Sequence, residues 1–234
     1  MFSAYLAIDP SMWWDNQLLL KASGSILAAD NFKGKTLFLG VANTMSPGMD
    51  TAKVRKDTSN NTNHIRSILL LADALRKAGG NGLRWEYKYY NEDSHGSVPL
   101  ISEYDGLRYI FSYFDFRNAN QLFDTSFTVH QSLGSVSDHY HNVSKEMGYT
   151  VLPPESYINN LGYAFMQNKM NEKAFAFFEM NVENYPKSEN VYDSMGDFYV
   201  ATGDKEKAID YFRKALTIQD NADTKQKLQK LEQK

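Results

Sequence analysis

The chain has 234 residues, 42% of them apolar and 23% charged, with a formal net charge of -3. That is globular composition, long enough for one large domain or two smaller ones. The slight acidity and the lack of any dense Lys/Arg block exclude a dedicated nucleic-acid binder. There is no cysteine, which excludes disulfides, thiolate metal sites and a cysteine nucleophile.

Phe2 to Ile8 is a short apolar run closed by Asp9-Pro10-Ser11, a strand followed by a turn. The apolar start has no basic leader region, and a chain that opens on a strand leads us to expect further sequence upstream. Trp13 and Trp14 place two large aromatics beside the strand end, either as a core plug or as the wall of a substrate pocket. Asn16 to Ala29 is helix-like, with Leu18, Leu19, Ala22, Ile26 and Leu27 on one broad face. Thr36 to Ala42 is a continuous apolar run, as expected of a strand covered on both faces. A polar stretch, Asn43 to Asn63, follows without periodicity, as mobile or functional loops do. His64 to Ala78 repeats Ile65, Ile68, Leu69, Ala72 and Leu75 at helical spacing and stops at Gly79-Gly80.

Leu83 to Tyr90 alternates apolar and polar residues, which suits an edge strand. A polar loop follows, Asn91 to Pro99, and then a helical pattern through Val98, Ile101, Tyr104, Leu107 and Ile110. The order strand–helix–strand–helix–strand–helix predicts three parallel strands with helical crossovers. The aromatic run Tyr104 to Phe116 is read as packing. Residues 118–154 read as a connector with a short helix, Val136 to Met147.

From Glu155 two 34-residue units align without a gap. Leu161-Gly162, Phe165, Ala174 and Phe178 in the first match Met195-Gly196, Tyr199, Ala208 and Phe212 in the second. Small residues let two helices approach closely, and the aromatics fill the space between them. This is the tetratricopeptide-repeat pattern, with Thr224 to Lys234 as its capping helix. The expected organisation is therefore α/β over 1–117, a helical connector over 118–154, and an all-α repeat array over 155–234.

His95 sits in the loop after the last strand, at the carboxyl end of the sheet, where ligands and chemistry collect. As the base of a serine hydrolase it needs a nucleophile and a carboxylate. In α/β-hydrolases the acid usually follows the preceding strand, which nominates the loop after Ala42. Its carboxylates are Asp50 and Asp57, and Asp50 is the candidate. A Ser–His pair without an acid stays open. No Gly-x-Ser-x-Gly occurs, and no serine follows a strand into a helix as an elbow must. Ser97 reads as the cap of the following helix. His139 and His141 do not share a helix face, and His64 and His130 stand alone, so neither a metal site nor a cofactor is expected.

The segments Tyr5-Leu6-Ala7-Ile8-Asp9-Pro10-Ser11-Met12-Trp13-Trp14-Asp15-Asn16 and Glu92-Asp93-Ser94-His95-Gly96-Ser97-Val98-Pro99, followed by Tyr104-Asp105-Gly106-Leu107-Arg108, resemble an esterase family of the α/β-hydrolases. It is the group that includes enterochelin-type trilactone esterases, and some bacterial members carry C-terminal tetratricopeptide repeats. The resemblance implies that residues 1–117 are the C-terminal portion of an α/β-hydrolase sheet, with His95 the catalytic base and Trp13-Trp14 flanking the active-site end. It implies a nucleophile serine upstream of Phe2–Ile8, and so a chain inactive on esters alone. The alternative is a non-catalytic module in which the repeats bind a protein or peptide. Strand Phe2–Ile8, at an exposed edge, is then an association site for a homo-oligomer. No apolar run reaches the roughly 20 residues that span a bilayer, so no membrane partner is expected, and the compartment is not readable.

Overall fold

A computed structural model describes residues 2–29 and 31–233; Lys234, the end of the expected capping helix, lies outside them. The chain divides into two compact units, residues 1–112 and 113–234. Among the described residues no helix is long and apolar enough to cross a membrane.

The first unit contains β1 (Ala4–Ile8), α1 (Trp14–Ala29), β2 (Thr36–Ala42), α2 (Thr51–Lys56), α3 (Asn63–Lys77), β3 (Arg84–Tyr90) and α4 (Val98–Ile110). The strands form one parallel sheet in the order β1-β2-β3. Ala4 pairs with Thr36 and Ile8 with Gly40, while Thr36 pairs with Arg84 and Ala42 with Tyr90. β2 is central, and Phe38 to Ala42 are buried, as its unbroken apolar run requires.

The two faces of β2 follow the period-two alternation of a strand. Leu39 and Val41 pack with α3 residues Ile65, Ile68, Leu69, Ala72 and Leu75, each large one contributing about 1.5–3 kcal/mol by burial. Phe38, Gly40 and Ala42 meet α4. The buried stripe of α4 is Val98, Ser102, Gly106 and Ile110, not the expected series through Ile101, Tyr104 and Leu107, which stay exposed. The reason is close approach. A Cβ on Gly40 would overlap the Ser102 side chain, and one on Gly106 would overlap Leu6, so this contact selects small residues over large ones. The expected apolar face of α1 is corrected similarly: only Leu27 is buried, with Leu18, Leu19 and Ile26 exposed. Left-handed backbone at Asp15, Asn16 and Gln17 (φ 47, 51 and 64) breaks the start of α1.

The second unit contains α5 (Val129–Met147), α6 (Glu155–Gln167), α7 (Asn171–Asn184), α8 (Glu189–Thr202), α9 (Lys205–Ile218) and α10 (Ala222–Glu232). The stretch read as a connector holds α5, seven residues longer at its start than the expected helix, because Thr128 and Gln131 form a reciprocal capping box. The repeats are α6–α7 and α8–α9. A Cβ on Gly162 or Gly196 would lie 2.5 Å from the ring of Phe178 or Phe212, the same contact displaced by 34 residues. α10 is tied to α8 by Lys227 Nζ, 2.5 Å from Asp193 and 2.7 Å from Asp197.

Candidate active site

Three side chains converge at the carboxyl end of the sheet. Asp9 follows β1 directly, with its backbone in the left-handed region (φ 42). A non-glycine residue held there stores of order 1–3 kcal/mol, which the surroundings must offset. Two hydrogen bonds hold it: its amide donates to the Gly40 carbonyl (2.8 Å), and its Oδ1 accepts from the Ala42 amide (3.1 Å). The side chain is 1% exposed.

His95 lies in the loop between β3 and α4. Asn43, just past β2, anchors that loop: its amide donates to the Asp93 carbonyl (2.7 Å) and its Nδ2 to the Asn91 carbonyl (2.9 Å). Ser97 closes it from within. Its hydroxyl donates to Asp93 (2.9 Å) and accepts from the Ser94 amide (3.0 Å), and it makes no side-chain cap on α4. So held, His95 Nδ1 lies 2.6 Å from Asp9 Oδ2.

The third residue is His64, at the start of α3. Its Nε2 lies 2.9 Å from the same Asp9 Oδ2. The two imidazoles meet edge to face, centroids 5.5 Å apart at 86°. His64 was expected to stand alone; the turn of chain through α2 brings it to the same sheet end as His95.

Burial pushes the Asp9 carboxyl up. The hydrogen bonds from His64, His95 and the Ala42 amide outweigh that and hold it below the usual carboxylate range. An ionised Asp9 only accepts, so His95 Nδ1 and His64 Nε2 are the donors toward it. His95 Nε2 makes no hydrogen bond among the described residues, and the side chain is 67% exposed. A cleft of about 530 Å³ lined by Ser11, Trp13, Asn60, Asn63, His64 and His95 opens on this group.

The expected carboxylates make their hydrogen bonds elsewhere. Asp50 caps α2, accepting from the amides of Ala52 (3.0 Å) and Lys53 (2.8 Å). The Lys53 amide is the chief cause holding its carboxyl below the usual range. Asp57 accepts from Ser59 and Thr62 within its own turn. Both carboxylates serve local helix and turn geometry, and the one that reaches His95 is Asp9. Trp13 lines the cleft; Trp14, 62% exposed, does not.

The second repeat, residues 189–221, matches the tetratricopeptide-repeat family model. No curated protein matches the chain. Among solved structures, an IroE-like serine hydrolase from Shewanella oneidensis is 31% identical with a TM-score of 0.53, over 78% of this chain and 52% of that one. An uncharacterised protein from Capnocytophaga ochracea is 14% identical with a TM-score of 0.59, over 100% of this chain and 62% of that one, a likeness of fold alone. The chain thus spans about half the length of the serine hydrolase it resembles. It joins an esterase-like three-stranded α/β unit to a tetratricopeptide-repeat unit.

Proposed function

We propose that the α/β unit carries the base and acid of a serine carboxyl-ester hydrolase, with His95 as base and Asp9 as the acid that orients it. The observation that carries this reading is the 2.6 Å contact from His95 Nδ1 to a buried, ionised carboxylate, which leaves Nε2 free toward the cleft. In that arrangement Nε2 takes the proton of a serine as it attacks the acyl carbonyl and returns it to the departing alcohol. Asp9 stabilises the imidazolium without taking its proton. Trp13 supplies an apolar wall for the acyl or alcohol group.

In this reading the serine comes from outside these residues. Ser11 lines the cleft, but among the described residues it has no hydrogen bond to His95, and it follows Pro10 rather than opening an elbow. The Ser97 hydroxyl is engaged with Asp93 and Ser94. The chain alone should therefore leave a p-nitrophenyl ester unhydrolysed. Combined with the serine-bearing half of a hydrolase of this fold it should turn the ester over, and His95→Ala or Asp9→Ala should abolish that turnover. Hydrolysis by the chain alone that His95→Ala removes would overturn the upstream-serine assignment; restored turnover indifferent to His95→Ala would overturn the role of His95.

The second reading is an interaction module, favoured by the repeats and by unpartnered apolar surface on the first unit. Leu18, Leu19 and Ile26 of α1, and Leu100, Tyr104 and Leu107 of α4, are 43–81% exposed, and β1 pairs on one side only among the described residues. Such surface marks association sites. A homo-oligomer in sedimentation that Tyr5→Lys on β1 dissociates supports strand pairing; a monomer at all concentrations refutes it.

A further inference from the structure

We propose that Asp9, His64 and His95 form a binding site for a late first-row divalent cation, with Zn2+ as its type. The argument begins with the donors. Asp9 Oδ2, His64 Nε2 and His95 Nδ1 all lie within 4.8 Å of one another, although they come from three separate segments of the chain. Two imidazole nitrogens and one carboxylate oxygen form a set that suits Zn2+, Co2+ or Ni2+ better than Mg2+ or Ca2+, which prefer all-oxygen shells.

The separations are close to what a metal needs. The nitrogens stand 2.9 and 2.6 Å from the shared oxygen. A tetrahedral ion with bonds of about 2.0–2.1 Å holds its donors roughly 3.3 Å apart. The cluster must open by about half an ångström, and the His95 side chain, 67% exposed, has room to swing by that much while its loop stays anchored. Asp9 stays fixed, because its second oxygen is held by the buried Ala42 amide, the kind of outer support that orients a ligating carboxylate. The cleft beside both histidines, with Trp13 and Asn60 in its wall, leaves room for water or an anion as a fourth ligand, as in three-ligand zinc sites.

Loading needs no net loss of protons. The count starts from both rings in the neutral form that binds a metal and from an ionised Asp9. Each imidazole moves one proton to its other nitrogen: His64 from Nε2 to Nδ1, His95 from Nδ1 to Nε2. The ion then takes the place of the two N–H donors around Asp9 Oδ2. The same shift protonates the nitrogen that a base would use, so an occupied site has no base at His95. The binding site stands on donor geometry alone; only this consequence rests on the proposed role of His95.

The test is titration of the tag-free chain with Co2+, followed by its visible d–d absorption, then displacement by Zn2+, with 15N spectra of the histidines recorded in parallel. The chain has no cysteine, so no thiolate site competes. The expected result is one ion per chain, strong bands of four- or five-coordinate cobalt, and a proton moved to Nε2 of His95. His64→Gln, a change at a side chain 24% exposed, should weaken binding by at least about a hundredfold with the fold intact, since loss of even an outer-shell partner costs 10–100-fold. Asp9→Asn should do the same, and His141→Gln on α5 should change nothing. Absence of a one-to-one complex, or affinity unaltered in His64→Gln, overturns the site. Ester turnover in the recombined hydrolase is measured separately, so a metal site can fail while the base stands, and the reverse.

Discussion

Replacing Asp9 separates its two jobs, because Asn and Ala remove different things. Asp9→Asn keeps an oxygen for the Ala42 amide and suits the left-handed backbone at φ 42, which Asn tolerates. It turns the other oxygen into an N–H donor. Two N–H groups cannot face each other, so His95 must move its proton to Nε2 and present a bare Nδ1. Asp9→Ala leaves the Ala42 amide, on a residue with no exposed surface, without a partner, at about 1–3 kcal/mol. It adds strain at a positive φ. The histidine donors, 24% and 67% exposed, recover water and add little. The expected cost is therefore about 1 kcal/mol for Asn and about 3 kcal/mol for Ala. That difference corresponds to roughly 10 °C in melting temperature for a unit of this size. Thermal melts give the energies, and 15N correlation spectra of the imidazoles give the tautomer. Equal melting of the two variants, or His95 still protonated on Nδ1 in Asp9→Asn, would show that the carboxylate neither holds the strand end nor orients the ring.

Asp50→Ala should fray α2, lowering protection of its first-turn amides, and leave the His95 tautomer unchanged; a tautomer shift would restore Asp50 as the acid. Gly162→Leu should drive side-chain atoms into the Phe178 ring, only 2.5 Å beyond a Cβ. A loss of about 1–3 kcal/mol is expected for such overpacking, read as faster hydrogen exchange across α6 and α7, and unchanged exchange would deny the close approach of the pair. His139 lies beside the Phe116 ring (4.9 Å). Burial holds its imidazole below the ordinary value despite the Phe114 carbonyl and Asp115. The unfolded chain thus takes up its proton first. Stability present above about pH 6.5 is lost as pH falls below that value toward the lower folded pKa. Exchange of α5 amides should quicken across that window, less so in His139→Gln; an identical pH slope in the variant would refute the assignment.

The elements legible in the sequence were those whose pattern was set by one dominant partner. α3 shows its buried face as Ile65, Ile68, Leu69, Ala72 and Leu75 because a single apolar layer covers it. β2 reads as an apolar run from Leu37 to Ala42 because helices lie on both its faces. α4 departs from its hydrophobic pattern for a physical reason. Where the helix approaches the strand most closely the buried positions, Ser102 and Gly106, are small, and Ile101, Tyr104 and Leu107 mark the outer face between buried Val98 and Ile110. Periodicity of hydrophobicity then points the wrong way, and the small residues four apart, Ser102 and Gly106, opposite Gly40 of β2, are the signal to follow.

The site shows the same contrast between neighbours in sequence and neighbours in space. His95 was legible because a histidine in a loop after the last strand already lies at the reactive end of a parallel sheet. The order of elements nominates an acid one strand back, at Asp50 or Asp57, but both carboxylates satisfy amides or hydroxyls of their own turns. A carboxylate engaged locally has little left for a distant ring. Asp9, two strands over, reads in the sequence as part of the turn Asp9-Pro10-Ser11. Strands are spaced about 4.8 Å apart, so its position is roughly 10 Å across the sheet from β3, within reach of the loop that carries His95. What distinguishes Asp9 from the other two is burial without a turn to serve: its only local duty is the Ala42 amide, and its second oxygen faces two imidazoles. His64 became visible only once α3 was known to begin at that end of the sheet. A strand-end aspartate with no turn of its own to satisfy is thus the stronger acid candidate than one inside a capped loop, whichever strand precedes it.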